Sequence, residues 1–506
     1  MNANVKATAT QQRVGDVVVL TDAAHKEAEQ NHSMWNEDLR PCTLAEHSWP
    51  GSKFASLWIG MCLCIPTYTL AGSMISIGMN WWEAVLAIFL GSVVVLSAIL
   101  FVAHAGTKYG IPYPVFARLW FGTRGAHIPA LARALIAAGW FGINSWFGGQ
   151  ALDAILSTVL PAWRGLSAHW GDYPEHTWLA FALFWLLNVA IAMRGAQAIG
   201  RLAQIAAPTV GIAAIALLAW AAHAAGGFGP MLAAPAKIHG GQFWIAFLPS
   251  VVGVIGFWAT LALNIPDYTR YARTQRGQML GQIFSMPLTM ALFSFLGIAV
   301  TSATLKIFGT AIWNPVDLIE KFPLAVIVVA GVIVILSSVT INVGANVMAP
   351  ARAFENLWPR YINFAIGAVL TGLLSLVLQP WRVLETSQTY VFLWLGTYGL
   401  MLGAFDGIAI ADYWLVRKRR LDLAQLYSPR GVYAYAGGFN LRAVGALVAG
   451  WGIALAGFYI TPLRFLWSGG WIFSLLGGLL AYWLLMRGDR SVITEEQFDT
   501  ITTEAV

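Results

Sequence analysis

Apolar runs of bilayer length recur from Phe54 to Met486, and no other feature of this sequence restricts its fold so much. A hydrocarbon core about 30 Å thick takes roughly 20 apolar helical residues to cross. The runs lie near 54–77, 82–104, 128–158, 177–193, 202–222 and 242–265, then 281–304, 322–350, 361–379, 389–415, 440–459 and 465–486. Three of them exceed 25 residues, which implies tilt or a partly buried extension. Only 11% of the 506 residues are charged, where a soluble chain carries about a quarter. The expectation is an all-α polytopic membrane protein with 12 transmembrane helices.

An even number of spans puts both ends on one side. With the N-terminus inside, the loops on that side carry Lys108, Arg118 and Arg124, then Arg194 and Arg201, then Arg270, Arg273 and Arg276. Arg352 and Arg360 follow, and then the block Arg417, Lys418, Arg419 and Arg420. The opposite loops hold mostly single basic residues such as Arg164, Lys237 and Arg382. Both termini are therefore read as cytoplasmic in a multi-pass protein of the cell membrane. Residues 1–52 form a polar N-terminal tail without a secretory signal, and 488–506 an acidic, unpatterned tail with no assignable role.

The remaining composition excludes more than it assigns. Cys62 and Cys64 lie inside the first run and Cys42 stands alone, so no disulfide framework is expected. No zinc-ligand spacing, Walker loop, Rossmann glycine pattern or G-x-S-x-G elbow is present. No histidine cluster or paired carboxylates lie mid-run and no filter segment repeats, which disfavours an enzyme or a channel. Topology accounts for the net charge of +6 without a nucleic-acid partner.

Two runs echo each other. WIGMCLCIPTYTLAG (58–72) and GFWATLALNIPDYTRYA (256–272) each place a tryptophan, Trp58 or Trp258, eight residues before the proline of Ile-Pro-x-Tyr. Pro66 and Pro266 each remove a backbone donor and disturb the preceding turn. Breaks in runs one and six suit a five-plus-five inverted repeat, which holds its substrate near mid-membrane. The halves would span 53–222 and 242–416, and 440–487 would lie outside both. In the third run, GWFGINSW (139–146) sets Trp140 and Asn144 on one helix face. An aromatic plate beside an amide suits a flat polar ligand, and it equally suits helix packing.

At IPTYTLAGSMISIGMNWWEAVLAIFLG (65–91), HAGTKYGIPYPVFARLWFG (104–122) and LARALIAAGWFGINSWFGGQAL (131–152) the sequence resembles the bacterial branch of nucleobase–cation symporter family one. That family includes hydantoin, allantoin, cytosine and uracil permeases. The resemblance continues through NIPDYTRYAR (264–273), GANVMAPA (344–351), DYWLVRKRRLDLAQLY (412–427) and GGFN (437–440), so only the tails fall outside it. It implies a LeuT-type core of ten helices with two peripheral ones. It also implies alternating-access import of a planar nitrogen heterocycle, coupled to sodium or protons, with no other cofactor. Spans five and ten would be the thin gates.

The resemblance also implies a site. Trp140 would stack on the ring, with Trp258, preceded by Phe257, as the second plate. Asn144 and Asn346 would supply amides, where hydantoin-transporting members carry glutamine at the first position. Cys64 stands where those members have a glutamine in span one. Without a carboxylate among these residues, the ligand should be neutral, as allantoin, hydantoin and uracil are. Cytosine, a purine, a vitamin-like heterocycle or a non-transporting sensor remain alternatives. Sodium would take carbonyls of Gly60 and Leu63 and oxygens of Ser337, Thr340 and position 341. Ile341 lacks a side-chain ligand, and Thr340 can instead bond its own helix. Asp267 reads as a salt-bridge partner of Arg270, and Glu83, Asp153 and Asp406 are further acids in or beside the runs.

Overall fold

The computed structural model describes residues 9–31, 33–37, 39–194, 200–357 and 361–504, without the side chains of 200–204, 207 and 356. Residues 1–8, Arg360 and the side chain of Arg201, all named above for topology, lie outside that description. The long helices are α1 (Gly51–Cys62), α2 (Ile65–Ile77), α3 (Trp81–Tyr109), α4 (His127–Val159), α5 (Glu175–Ala192), α6 (Gly200–Ala224) and α7 (Gly241–Asn264). Then come α8 (Gln275–Phe308), α9 (Leu324–Glu355), α10 (Phe364–Val377), α11 (Thr389–Val416), α12 (Leu441–Tyr459) and α13 (Gly470–Leu485).

Among the described residues, seven of these helices are long and apolar enough to cross a membrane. Counting the bent pairs α1–α2 and Thr461–Ser468 with α13 as single spans gives nine rather than the expected twelve. The other three expected spans coincide with α4, which at 33 residues is long enough but less apolar, and with α6 and α10, whose apolar stretches Pro208–Ala224 and Phe364–Val377 are shorter over the residues described.

Local chemistry sets several helix ends. Asn80 and Glu83 form a reciprocal capping box at the start of α3, which ends at Gly110 with a left-handed φ of 62°. Glu83 therefore serves as a cap. Pro66 falls in the first turn of α2, where its missing N–H costs nothing. The break lies just before it: Leu63 and Cys64 leave helical geometry, and α1 and α2 meet at 59°. The carbonyls of Gly60, Met61 and Leu63 accept no hydrogen bond among the described residues. The parallel expectation for Pro266 is not met. Helix α7 runs unbroken to Asn264, and Pro266 opens the short helix Pro266–Thr269 beyond its end.

The tails are ordered where described. Strand Gln11–Val14 pairs antiparallel with Val17–Leu20 and parallel with Thr502–Glu504, so both ends lie on one face of the molecule. The buried Gln11 side chain fixes this sheet to the chain after α11, donating to the Leu421 carbonyl and accepting from the Leu423 N–H. Helix Glu495–Ile501 carries a capping box of Thr494 and Gln497, which reading the tail as unpatterned missed.

Candidate substrate site

Helix α4 buries Trp140, and three rings meet it edge-on. Phe257 of α7 lies 5.1 Å away at 77°, and Tyr390 and Tyr398 of α11 each lie 6.4 Å away. The expected opposition of Trp140 and Trp258 is not what forms. One residue further along an α-helix turns a side chain by about 100°, and Trp258 faces Trp58 of α1 at 5.2 Å. Trp58 in turn donates to Gln282 of α8. Phe257, preceded by Gly256, is thus the α7 ring in contact with Trp140.

Close helix packing brings these rings together. A Cβ on Gly256 would lie 2.3 Å from the Leu395 carbonyl oxygen of α11, and one on Gly139 would lie 2.1 Å from the Trp394 ring. Only glycine at these positions lets α11 approach both α4 and α7.

The amides follow a definite polarity. Asn144 donates through Nδ2 to the Trp140 carbonyl at 3.0 Å, and its Oδ1 is buried without a partner. Asn342 donates to the Phe141 carbonyl and to Ser145 Oγ, both at 3.1 Å, which turns its Oδ1 toward Asn346. Asn346 must then offer Nδ2 to it, at 3.0 Å. Because backbone carbonyls anchor both chains of bonds, the amide orientations follow from donor chemistry. Asn342 and Asn346 lie in a π-helical turn of α9, Asn342–Val347. Such bulges are frequent at functional sites. Asn342 was missed from sequence, although its i,i+4 spacing to Asn346 in NVGAN was legible. Cys64 is occupied, its Sγ lying 3.2 Å from Thr67 Oγ1.

A cavity of about 490 Å³ opens on the face that holds the tails. Asn36 and Leu39 of the N-terminal segment, Arg133 of α4, Asn264 of α7 and Gly344 of α9 line it. Gly344 stands two residues from Asn346, so this cavity approaches the amides from one end. Asp267 also lines it but makes no ion pair with Arg270: it accepts from the Tyr113 N–H at 2.8 Å and from Asn264. Arg270 turns to Cys42 Sγ and the Arg40 carbonyl. Nearby, the Arg40 guanidinium bonded to Glu46 brings that carboxyl down to about 2.

At the expected cation position, the Thr340 hydroxyl donates within its own helix, to the Leu336 and Ser337 carbonyls. Its lone pairs stay available. Ser338 Oγ is buried without a partner, and Ile341 contributes no side-chain oxygen. No hydrogen bond joins Gly60 or Leu63 to Ser337 or Thr340. Beyond the other end of the site, Asp153 accepts from His176, Thr177 and Trp163, tying α4 to α5. Asp317, between α8 and α9, is pushed up to about 6, first by burial and then by Glu320.

A family model described as permease for cytosine/purines, uracil, thiamine, allantoin matches residues 41–484. The chain belongs to this family. Its members are transporters rather than enzymes. The Arabidopsis thaliana purine-uracil permease NCS1 is 42% identical over 443 residues, covering 85% of this chain and 72% of its own. The Bacillus subtilis (strain 168) allantoin permease is 39% identical over 464 residues, covering 91% and 94%. The fold is that of Mhp1, a nucleobase-cation-symport-1 family transporter. Its closed structure with bromovinylhydantoin bound matches with a TM-score of 0.73 at 23% identity, covering 92% of this chain and 99% of Mhp1. Its inward-facing conformation matches at 0.77 and 24%, covering 92% and 97%. The chain is accordingly a multi-pass transporter of nucleobase type with a LeuT-type fold.

Proposed function

We propose that this permease imports a neutral planar nitrogen heterocycle of the allantoin, hydantoin or uracil type by alternating access. The ring stacks on Trp140 beside Phe257, whose edge-on contact with Trp140 at 5.1 Å opens to admit it, with Asn144 and Asn346 at its polar edge. Trp258 buttresses this arrangement through Trp58, and Cys64 lies beside it without contributing a strong hydrogen bond. The observation that carries the reading is the Asn144 oxygen, buried without a partner one turn from the Trp140 ring. An orphan acceptor in that place costs about 1–3 kcal/mol unless something donates to it, and ring N–H groups of these heterocycles do. The names of the permeases from Arabidopsis and Bacillus support the same substrate class.

A coupling cation, sodium in preference to a proton, takes the free carbonyls of Gly60 and Leu63 and oxygens of Ser337 and Thr340, with Ile341 giving at most its carbonyl. Twelve spans, in two inverted halves of residues 53–222 and 242–416 with 440–487 peripheral, place this site at mid-membrane. The tails face the cytoplasm, so the 490 Å³ cavity beside Gly344 is the inward vestibule. The test is binding of hydantoin, allantoin, uracil, cytosine and hypoxanthine to purified protein, with and without sodium. One ligand should bind, more tightly in sodium, and Trp140→Ala should abolish its binding while expression persists. Wild-type affinity in that variant refutes the stacking role.

A further inference from the structure

Helix α11 brings to the site a polar group that neither the sequence nor the amide arrangement assigns. Tyr398 is 3% exposed and its ring stands edge-on to Trp140 at 6.4 Å and 78°. Its hydroxyl is buried, its O–H donates to nothing, and the one polar group interacting with its oxygen is the Trp140 indole N–H, which can only donate. Its ring is held from behind by Trp394, 5.0 Å away, and Gly139 of α4 makes the room for Trp394. The contact of Gly256 with Leu395 presses the same stretch of α11 against α7 beside Phe257. These close contacts hold a phenol next to the aromatic plate, with its O–H uncommitted as a donor.

We propose that Tyr398 is a specificity-determining residue whose hydroxyl donates to a ring carbonyl of the bound heterocycle. The inference rests on the heterocycle reading above and adds the group that recognises the carbonyl. Such a donor complements the amides. Asn144 and Asn346 have each committed one of their two N–H groups within the protein, and the Asn144 oxygen, buried without a partner, serves an N–H of the ligand. The alternating carbonyls of an imide or ureide ring require donors, and the Cys64 thiol, engaged with Thr67 and weak in any case, supplies none of strength. A phenol O–H is a full-strength donor. Because it belongs to α11, ligand recognition is shared by α4, α7, α9 and α11, and the α11 contact exists only when the helix is packed as here.

The experiment compares wild type and Tyr398→Phe for binding of uracil, 2-thiouracil, 4-thiouracil, hydantoin and 2-thiohydantoin, since thiocarbonyl sulfur is a weak acceptor. Phenylalanine keeps the ring contacts to Trp140 and Trp394, and the melting temperature of the purified variant monitors its fold. Wild type should prefer an oxo ligand over the thio analogue altered at the contacted carbonyl. Tyr398→Phe should weaken the oxo ligand about fivefold to tenfold and leave that thio analogue nearly unchanged. Equal weakening of both, or of neither, overturns the proposal while leaving the heterocycle reading intact. Failure of wild type to bind any member of the panel refutes that reading and this inference with it.

Discussion

Replacing Gly256 by alanine tests whether the contact between α7 and α11 sets the geometry of the site. The added Cβ would lie 2.3 Å from the Leu395 carbonyl oxygen and 3.0 Å from its carbon, whereas ordinary contact begins near 3.4 Å. The helices must therefore part locally by the difference, 3.4 − 2.3 = 1.1 Å, because the obstacle is backbone and cannot rotate away. Overpacking of this kind costs about 1–3 kcal/mol. Phe257 moves with its neighbour. Stacking of a planar base on an aromatic side chain contributes about 1–3 kcal/mol, and a gap approaching 1 Å forfeits roughly a quarter to a half of the dispersion well. Heterocycle binding should then weaken about twofold to tenfold. Gly344→Ala is the control: nothing lies within 4 Å of its Cβ, so the substitution should be neutral or slightly stabilising. The assays are melting temperature in detergent and equilibrium binding. A Gly256→Ala protein as stable as wild type, binding with wild-type affinity, would refute the argument that glycine permits this approach.

Thr340→Ala removes the Thr340 hydroxyl from the proposed cation position and should flatten the sodium dependence of binding; an unchanged sodium response removes that assignment. Arg417→Met leaves Asp412, fully buried and bonded by Arg417 Nε at 2.9 and 3.1 Å, without its cation, which should destabilise by about 3–5 kcal/mol. Adding Asp412→Asn should recover part of that loss, and a double variant worse than the sum of the single ones would contradict the pairing. Glu46, lowered to about 2 by Arg40, contributes stability that is complete above its ordinary value of 4.5 and is lost as the pH falls toward 2. The pair is partly exposed, so the effect stays under about 1 kcal/mol. Glu46→Gln should remove this slope from the acid limb of the melting-temperature profile.

How far the fold could be read in advance depended on the range of the interaction. Apolar runs located the helices because span length is set by the bilayer, and Trp140 with Asn144 was legible because i,i+4 spacing is local. The break in the first span was anticipated from Pro66, but the same argument failed at Pro266. A proline disturbs a helix only if the helix extends through it, and α7 ends two residues before. The contact of Trp140 with Phe257 rather than Trp258 has a related cause. Two adjacent aromatics in α7 face different partners, and only the neighbours Trp140 and Trp58, more than 100 residues away in sequence, determine which ring meets the site.

Tyr398 shows why part of the candidate site lay beyond sequence reading altogether. Nothing in GTYGLML distinguishes this tyrosine from one anchoring a helix at the membrane interface. Its place beside Trp140 depends on glycines in three different helices, Gly139, Gly256 and Gly399, whose missing Cβ atoms let α11 approach α4 and α7. The same close fit implies that the site exists as an assembled set only in one packing of α11. If α11 moves as a gate, the edge-on contacts of Tyr390 and Tyr398 with Trp140 must separate, and the orphan hydroxyl of Tyr398 and orphan oxygen of Asn144 part with them. A ligand that donates to Asn144 and accepts from Tyr398 bridges the two helices and favours the packed arrangement over any other by its differential contacts. Substrate specificity and gate closure would then be two readings of one pair of hydrogen bonds.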